Sequence, residues 1–212
     1  MDQPTRQAPA ARPVAPRQAR ALRTRETLLD AVEKIVATEG GQAVTTTRIA
    51  GDTGVAVGTI YRYFADREAL ILAAYDRTVE RIVADSAQAL QRLPSGRIAP
   101  ADAAKELLTA YLAAAETIPS HVGLLAEMRK LQPVEADQHG INQSGILRDL
   151  FLPFFERFLP DTPPADPTKL GFAGVLVGTM VDLYLVTPDR AAKAKLKAEI
   201  DAHVALIVER FA

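Results

Sequence analysis

Between Arg17 and Leu93 the chain contains no proline, and over that stretch its apolar side chains repeat at the helical period. Leu28, Val32, Ile35 and Val36 fall at i, i+4, i+7 and i+8, which predicts one buried face of a helix from about Arg20 to Glu39. Gly40-Gly41 supplies a residue able to take the left-handed conformation that ends such a helix. Thr45 suits the N-cap of a short second helix, because its hydroxyl can accept a free backbone N–H of the first turn. Ile49 and Ala50 are the inward residues of that helix and Gly54 breaks it; another short helix is expected over 57–64. Asp66 caps a longer fourth helix over 67–92 that stops near Pro94. Beyond Pro100 the prolines return as punctuation between helical patterns, expected at 101–117, 120–131, 142–159, 167–186 and 189–211. No period-2 alternation stands out and Ala, Leu, Glu and Arg dominate, so the expected fold class is all-α.

With 212 residues, 48% of them hydrophobic, the chain can bury one sizeable core or two small ones. The absence of cysteine excludes disulfide scaffolds, thiol catalysis and Cys-ligated zinc. The net charge is only -1, but its distribution is uneven. Residues 1–25 carry six arginines against Asp2, a local excess of five positive charges; through residue 67 the excess is three, so the remainder carries four negative charges. A basic amino-terminal third and an acidic remainder suggest two jobs, with a polyanion as partner of the first. Pro4, Pro9, Pro13 and Pro16 among Ala, Gln and Arg make residues 1–19 an expected flexible basic arm. No secretion signal is evident and no apolar run is expected to cross a membrane, which predicts a soluble cytoplasmic protein.

Residues 45–64 read TTTRIAGDTGVAVGTIYRYF. Two short helices joined at Gly54 would share a small core of Ile49, Ala50, Val55, Ile60 and Phe64, the helix-turn-helix arrangement whose second helix enters a DNA major groove. In register, Thr45, Ile49-Ala50, Gly54-Val55, Gly58-Thr59, Tyr61, Tyr63-Phe64, Arg67 and Leu70 resemble the amino-terminal domain of the tetracycline-repressor (TetR) family of bacterial regulators. The match covers about a quarter of the chain, residues 20–75. Two positions depart from the family pattern. Ala56 stands where Ser usually caps the second helix and bonds a phosphate, a loss of about 1 kcal/mol. Arg67 replaces Lys, keeping the charge.

The resemblance implies a double-stranded DNA operator as partner. Thr45 and Thr46 would offer hydroxyls and N–H groups to a phosphate. Val57, Gly58, Thr59 and Arg62 would approach base edges, while Tyr61, Tyr63 and Arg67 would hold phosphates and fix register. Two readings stay open for the tyrosines, phosphate contact or packing, and for Arg48, groove contact or free surface charge. Arg20, Arg23 and the arm either reach a minor groove or form a solvated tail.

The carboxyl-terminal part offers less specific chemistry. Phe151, Phe154, Phe155 and Phe158 form an aromatic stripe interrupted by Pro153, which is expected to kink its helix. The stripe is either plain core or, with Tyr111, Leu124, Met128, Leu147, Met180 and Tyr184, the wall of a cavity for a small apolar effector. Gly171, Gly174 and Gly178 mark a close-packing face on 167–186, and Leu196, Ile200, Val204, Ile207, Val208 and Phe211 an apolar face on the last helix. These faces either pack within the chain or form a homodimeric four-helix bundle, as the family does.

His121, His139 and His203 lie at no metal-ligand spacing, and neither a nucleophile elbow nor a phosphate loop is present. No metal, cofactor or catalysis is expected. The reading is therefore a basic arm (1–19), a DNA-binding domain with its connecting helix (20–92) and a ligand-binding and dimerisation domain (93–212). Together they would make a homodimeric repressor released from a palindrome by a largely apolar effector. The alternative is a ligand-independent architectural or adaptor protein whose carboxyl-terminal helices form a solid core that recruits a protein partner.

Overall fold

The computed structural model of the protein describes residues 16–132, 145–161 and 167–211. Those residues form helices throughout: α1 (Pro16–Glu39), α2 (Thr46–Thr53), α3 (Val57–Ile60), α4 (Arg67–Arg92), α5 (Pro100–Glu116), α6 (His121–Leu131), α7 (Leu152–Phe158), α8 (Pro167–Val186) and α9 (Arg190–Glu209). The all-α expectation holds. Helix α1 begins at Pro16, so residues 16–19 of the expected arm are helical; residues 1–15 and His139 lie outside the described residues.

Local chemistry explains most boundaries. Gly40, at φ 84°, turns the chain out of α1 into a single 3-10 turn over Gly41–Ala43. The Thr45 hydroxyl accepts from Arg48 N at 3.1 Å, and the Asp66 carboxylate from Ala69 N at 2.7 Å, capping α2 and α4. Gly54 closes α2 at φ 70°, a conformation that side chains with a Cβ rarely adopt. Asp189 caps α9 through Ala192 N. The kink expected at Pro153 takes the form of a π-helical turn over Leu147–Phe151 leading into α7, with Leu152 N reaching back to Leu147 O. Proline has no N–H to continue the narrower α pattern, and the wider turn accommodates this.

Two cores result. The first gathers Leu28, Val32, Ile49, Ile60, Leu70 and Leu124 with their neighbours, so α6 contributes to the amino-terminal core. The second lies among α4–α9 and includes Leu108, Leu112, Leu125, Met128, Phe154 and Ile200. Helix α4 runs through both. A polar seam reinforces the junction: Glu33 of α1 receives Arg77 (2.9 and 2.7 Å), Arg81 (2.5 Å) and the Ser120 hydroxyl (3.3 Å).

Helix α8 corrects one expectation. Thr168–Val186 is 19 residues long with a mean hydropathy of 1.5, enough by length and composition to cross a membrane. Lys169 and Asp182 interrupt the run without lowering its mean below that range, and Asp182 is paired with Arg129 of α6. Phe172, Leu176, Leu183 and Val186 remain exposed on its outer face, Phe172 at 65%.

His121 opens α6 in the interior. It stacks on Tyr75 at 5.7 Å and shares a 2.8 Å hydrogen bond between Nδ1 and the Thr78 hydroxyl. Burial, followed by the positive field of Arg81, pushes its pKa down from 6.5 to about 4. The unfolded chain takes up a proton near pH 6.5 while the folded one resists until about pH 4. This contribution to stability is whole above pH 6.5 and is lost as the pH falls towards 4. Denaturant titrations should show a loss of about 2 kcal/mol between pH 6.5 and pH 5 from this residue, at about 1.4 kcal/mol per pH unit. In His121→Gln that part of the slope should disappear; an unchanged slope would assign it elsewhere.

Candidate functional site

The first candidate surface is the end of the molecule formed by α2 and α3. Val57 (37% exposed), Gly58, Tyr61 (51% exposed) and Arg62 face outward, while Thr59 and Tyr63 are half-buried. A Cβ at Gly58 would meet nothing within 4 Å, so a flat surface is free to approach the backbone there. Arg62 has no ion-pair or hydrogen-bond partner among the described residues. The Tyr61 and Thr46 hydroxyls lie 3.5 Å apart, linking the start of α2 to the end of α3. Ala56 makes no side-chain cap. The helical turn expected over 57–64 is regular only to Ile60, after which Arg62 N→Thr59 O and Tyr63 N→Ile60 O bonds tighten the coil. Ile60 and Phe64 stay buried beneath it.

Two expected contacts are placed differently. Arg48 is neither free nor directed at a groove: it donates to Asp52 (3.0 and 3.2 Å) and Glu39 (2.7 Å), which raise its already high pKa. Exposed pairs of this kind are weak, so a phosphate could draw the side chain away at little cost. Arg67, expected to hold a phosphate, turns inward. Its guanidinium donates to Val44 O (2.8 Å), Gly41 O (2.7 Å) and the Glu127 carboxylate (3.1 Å), tying the first residue of α4 to the turn before α2 and to α6.

Glu127 is buried on α6 and also accepts from Gln42 (3.0 Å) and Lys130. Burial works against its charge, yet the bonds from Lys130, Arg67 and Gln42 hold its carboxyl below the ordinary value. Gly41 is required there, since a Cβ at that position would overlap the Glu127 side chain. Nothing in the spacing of these residues announces the cluster, apart from the Glu127–Lys130 pair one helical turn apart.

The second candidate site is a cavity of about 440 Å³ among α4–α9. Of the residues given to an effector cavity in the sequence, Tyr111, Met128, Phe151, Phe154 and Phe155 lie in its lining. Leu124, Leu147, Met180 and Tyr184 do not. Leu124 faces the first core, while Met180 and Tyr184 pack beside the second and Lys193 lies over the Tyr184 ring. Leu147 sits on the π turn, whose Ile146, Leu150 and Phe151 reach the cavity instead. Four residues expected at a dimer interface, Gly174, Gly178, Val204 and Ile207, line the cavity, and Ile200 is buried in the adjoining core. On α8 the lining includes Ala173, Gly174, Val177, Gly178 and Val181 while Phe172, Leu176, Leu183 and Val186 stay exposed, and Val204 and Ile207 reach the cavity from α9.

A family model for bacterial regulatory proteins of the tetR family matches residues 28–74. Among solved structures, the chain is similar to the TetR family repressor AlkX of Dietzia sp. (16% identity, 87% of this chain and 95% of that one, TM-score 0.62). It is likewise similar to a TetR transcriptional regulator of Rhodococcus sp. (17% identity, 91% and 100%, TM-score 0.63). RolR in complex with resorcinol is a third (18% identity, 91% and 96%, TM-score 0.58). The comparison with curated proteins gives no match. Identities this low establish the fold, whereas the match over 28–74 lies on the helices that build the outward face of α3. The chain thus carries over residues 28–74 a segment matching the amino-terminal domain of tetR-family bacterial regulatory proteins, set on a fold shared with solved TetR-family regulators.

Proposed function

We propose that this protein is a homodimeric transcriptional repressor of the cytoplasm, without catalytic activity, that releases a palindromic operator when a small, largely apolar molecule fills its cavity. The observation carrying this reading is the coexistence of an exposed, acid-poor α3 face with an apolar cavity, both built on helices α4 and α6. A solid carboxyl-terminal core would have favoured an adaptor instead; a cavity of about 440 Å³ falls within the range of small-molecule sites. RolR with resorcinol is a fold relative that takes a small molecule.

Two copies are favoured by the outer face of α8. Phe172, Leu176, Leu183 and Val186 of α8 and Leu206 of α9 are large apolar side chains left exposed to water, surface that a second copy would cover. A two-fold axis through that face sets the two α3 helices against half-sites about 34–36 Å apart. The division of labour falls at the end of α4, with residues 20–92 reading DNA and 93–212 binding the partner copy and, together with α4, the ligand. Thr45, Thr46, Tyr61 and Tyr63 approach phosphates, and Val57, Gly58, Thr59 and Arg62 approach base edges. Arg67 acts from behind, fixing the start of α4.

Selection of bound duplexes from a random pool, followed by sequencing, tests this directly. Enrichment of an inverted repeat with half-sites one helical turn apart is expected, and a pool without symmetry would refute the reading. Replacing both Thr59 and Tyr63 by Ala should weaken binding to the selected site by roughly 5- to 150-fold, the worth of about 1–3 kcal/mol of contacts, with the thermal melt retained.

A further inference from the structure

Three of the cavity's polar groups, Arg129, Asp182 and Tyr111, lie together towards the carboxyl-terminal end of α8. Arg129 of α6 and Asp182 of α8 both line it and bind each other: Nε donates to Asp182 Oδ2 at 2.6 Å, and Nη2 completes the pair. Tyr111 of α5 lies within the field of Asp182, and burial followed by that carboxylate pushes its phenol pKa up. Its hydroxyl has no hydrogen-bond partner among the described residues. Tyr111 is half-buried and lines the cavity, so a polar atom of a ligand can reach its hydroxyl and take the place of water there.

The opposite end is aromatic. Phe155 meets Phe154 and Phe211 edge-on at 5.9 and 4.9 Å, and the Phe211 ring lies under Lys169 at the start of α8. Ala173 and Asp182, both lining the cavity, are about 13 Å apart along the α8 axis, at about 1.5 Å per residue. The site is therefore elongated, apolar at one end and hydrogen-bonding at the other.

Charge narrows the class further. Arg129 is matched by Asp182, and the third charged lining residue, Asp76, is another carboxylate. A carboxylate ligand would lose its hydration and meet no net positive charge in this lining. A neutral hydroxyl or carbonyl meets no such penalty and satisfies Tyr111.

We infer that the effector is an elongated neutral amphiphile, its single hydroxyl or carbonyl held by Tyr111 beside the Arg129–Asp182 pair and its ring or hydrocarbon body laid among Phe154, Phe155 and Phe211. This rests on the ligand-binding reading above and adds to it the polarity and orientation of the bound molecule.

Calorimetric titration of the full chain with para-butylphenol, butylbenzene and para-butylbenzoate tests it. The phenol should bind at least ten-fold more tightly than the benzoate, which carries the same apolar body. Tyr111→Phe should weaken the phenol roughly three- to ten-fold, the value of one hydrogen bond, and leave butylbenzene within about two-fold. A benzoate that binds as well as the phenol, or a Tyr111→Phe variant that affects phenol and butylbenzene alike, overturns the inference. If none of the three binds at millimolar concentration, the ligand-binding reading falls with it. If the phenol binds as described but DNA affinity is indifferent to it, the inference stands and only the regulatory reading falls.

Discussion

Glu127 is a carboxylate buried where α6 meets the back of the DNA-reading helices, and its charge is tolerable there only because Gln42, Arg67 and Lys130 converge on it. A buried charge without partners costs several kcal/mol, so these donors cannot drift apart independently. Two come from the amino-terminal unit: Gln42 in the turn after α1, and Arg67 at the first residue of α4. Arg67 also ties down the carbonyls of Gly41 and Val44, the strap that leads into α2. One carboxylate thus fixes where α4 begins and how the strap before the helix-turn-helix is held. The absent Cβ of Gly41 makes room for it.

The residues that follow Glu127 on the same helix face another way. Met128 and Arg129 line the cavity, and Leu124, one turn earlier, fills the first core. Helix α6 is therefore shared between the two parts of the molecule, touching the cavity with one side and the amino-terminal core with another. A helix so constrained moves as a unit, because close-packed interiors transmit displacement rather than absorb it. Helix α4 offers a parallel connection, since Leu72, Tyr75, Asp76 and Val79 line the cavity while Leu70 and Ile71 belong to the first core. Coupling between sites in regulators is typically about 1–3 kcal/mol, comparable to rearranging one such charged hydrogen-bond cluster.

Local signals made the amino-terminal third legible. Thr45, Gly54 and Asp66 act through hydrogen bonds and backbone conformation within a few residues of themselves, and each stands where its chemistry placed it. The role of Arg67 was not legible, because its main partners lie 23, 26 and 60 residues away and only the folded chain brings them together. The same is true of Gln42 with Glu127. Helix α8 shows a different limit. It is apolar on every side, so periodicity cannot say which face is inner, and Gly174 and Gly178 turned out to line the cavity while Met180 and Tyr184 do not. Leu124 reads as cavity wall by its neighbours in sequence, yet the crossing of α6 over α1 directs it to the other core.

On the proposed function, occupancy of the cavity is felt at the surface of α2 and α3 through Glu127. The most direct measurement is the affinity of the chain for its selected DNA site, with and without saturating para-butylphenol, in the unaltered protein and in Glu127→Gln. The ligand is expected to weaken DNA binding of the unaltered protein by roughly 5- to 150-fold and that of Glu127→Gln by less than about two-fold. An equal response in both proteins, with the ligand bound equally well by each, would contradict it.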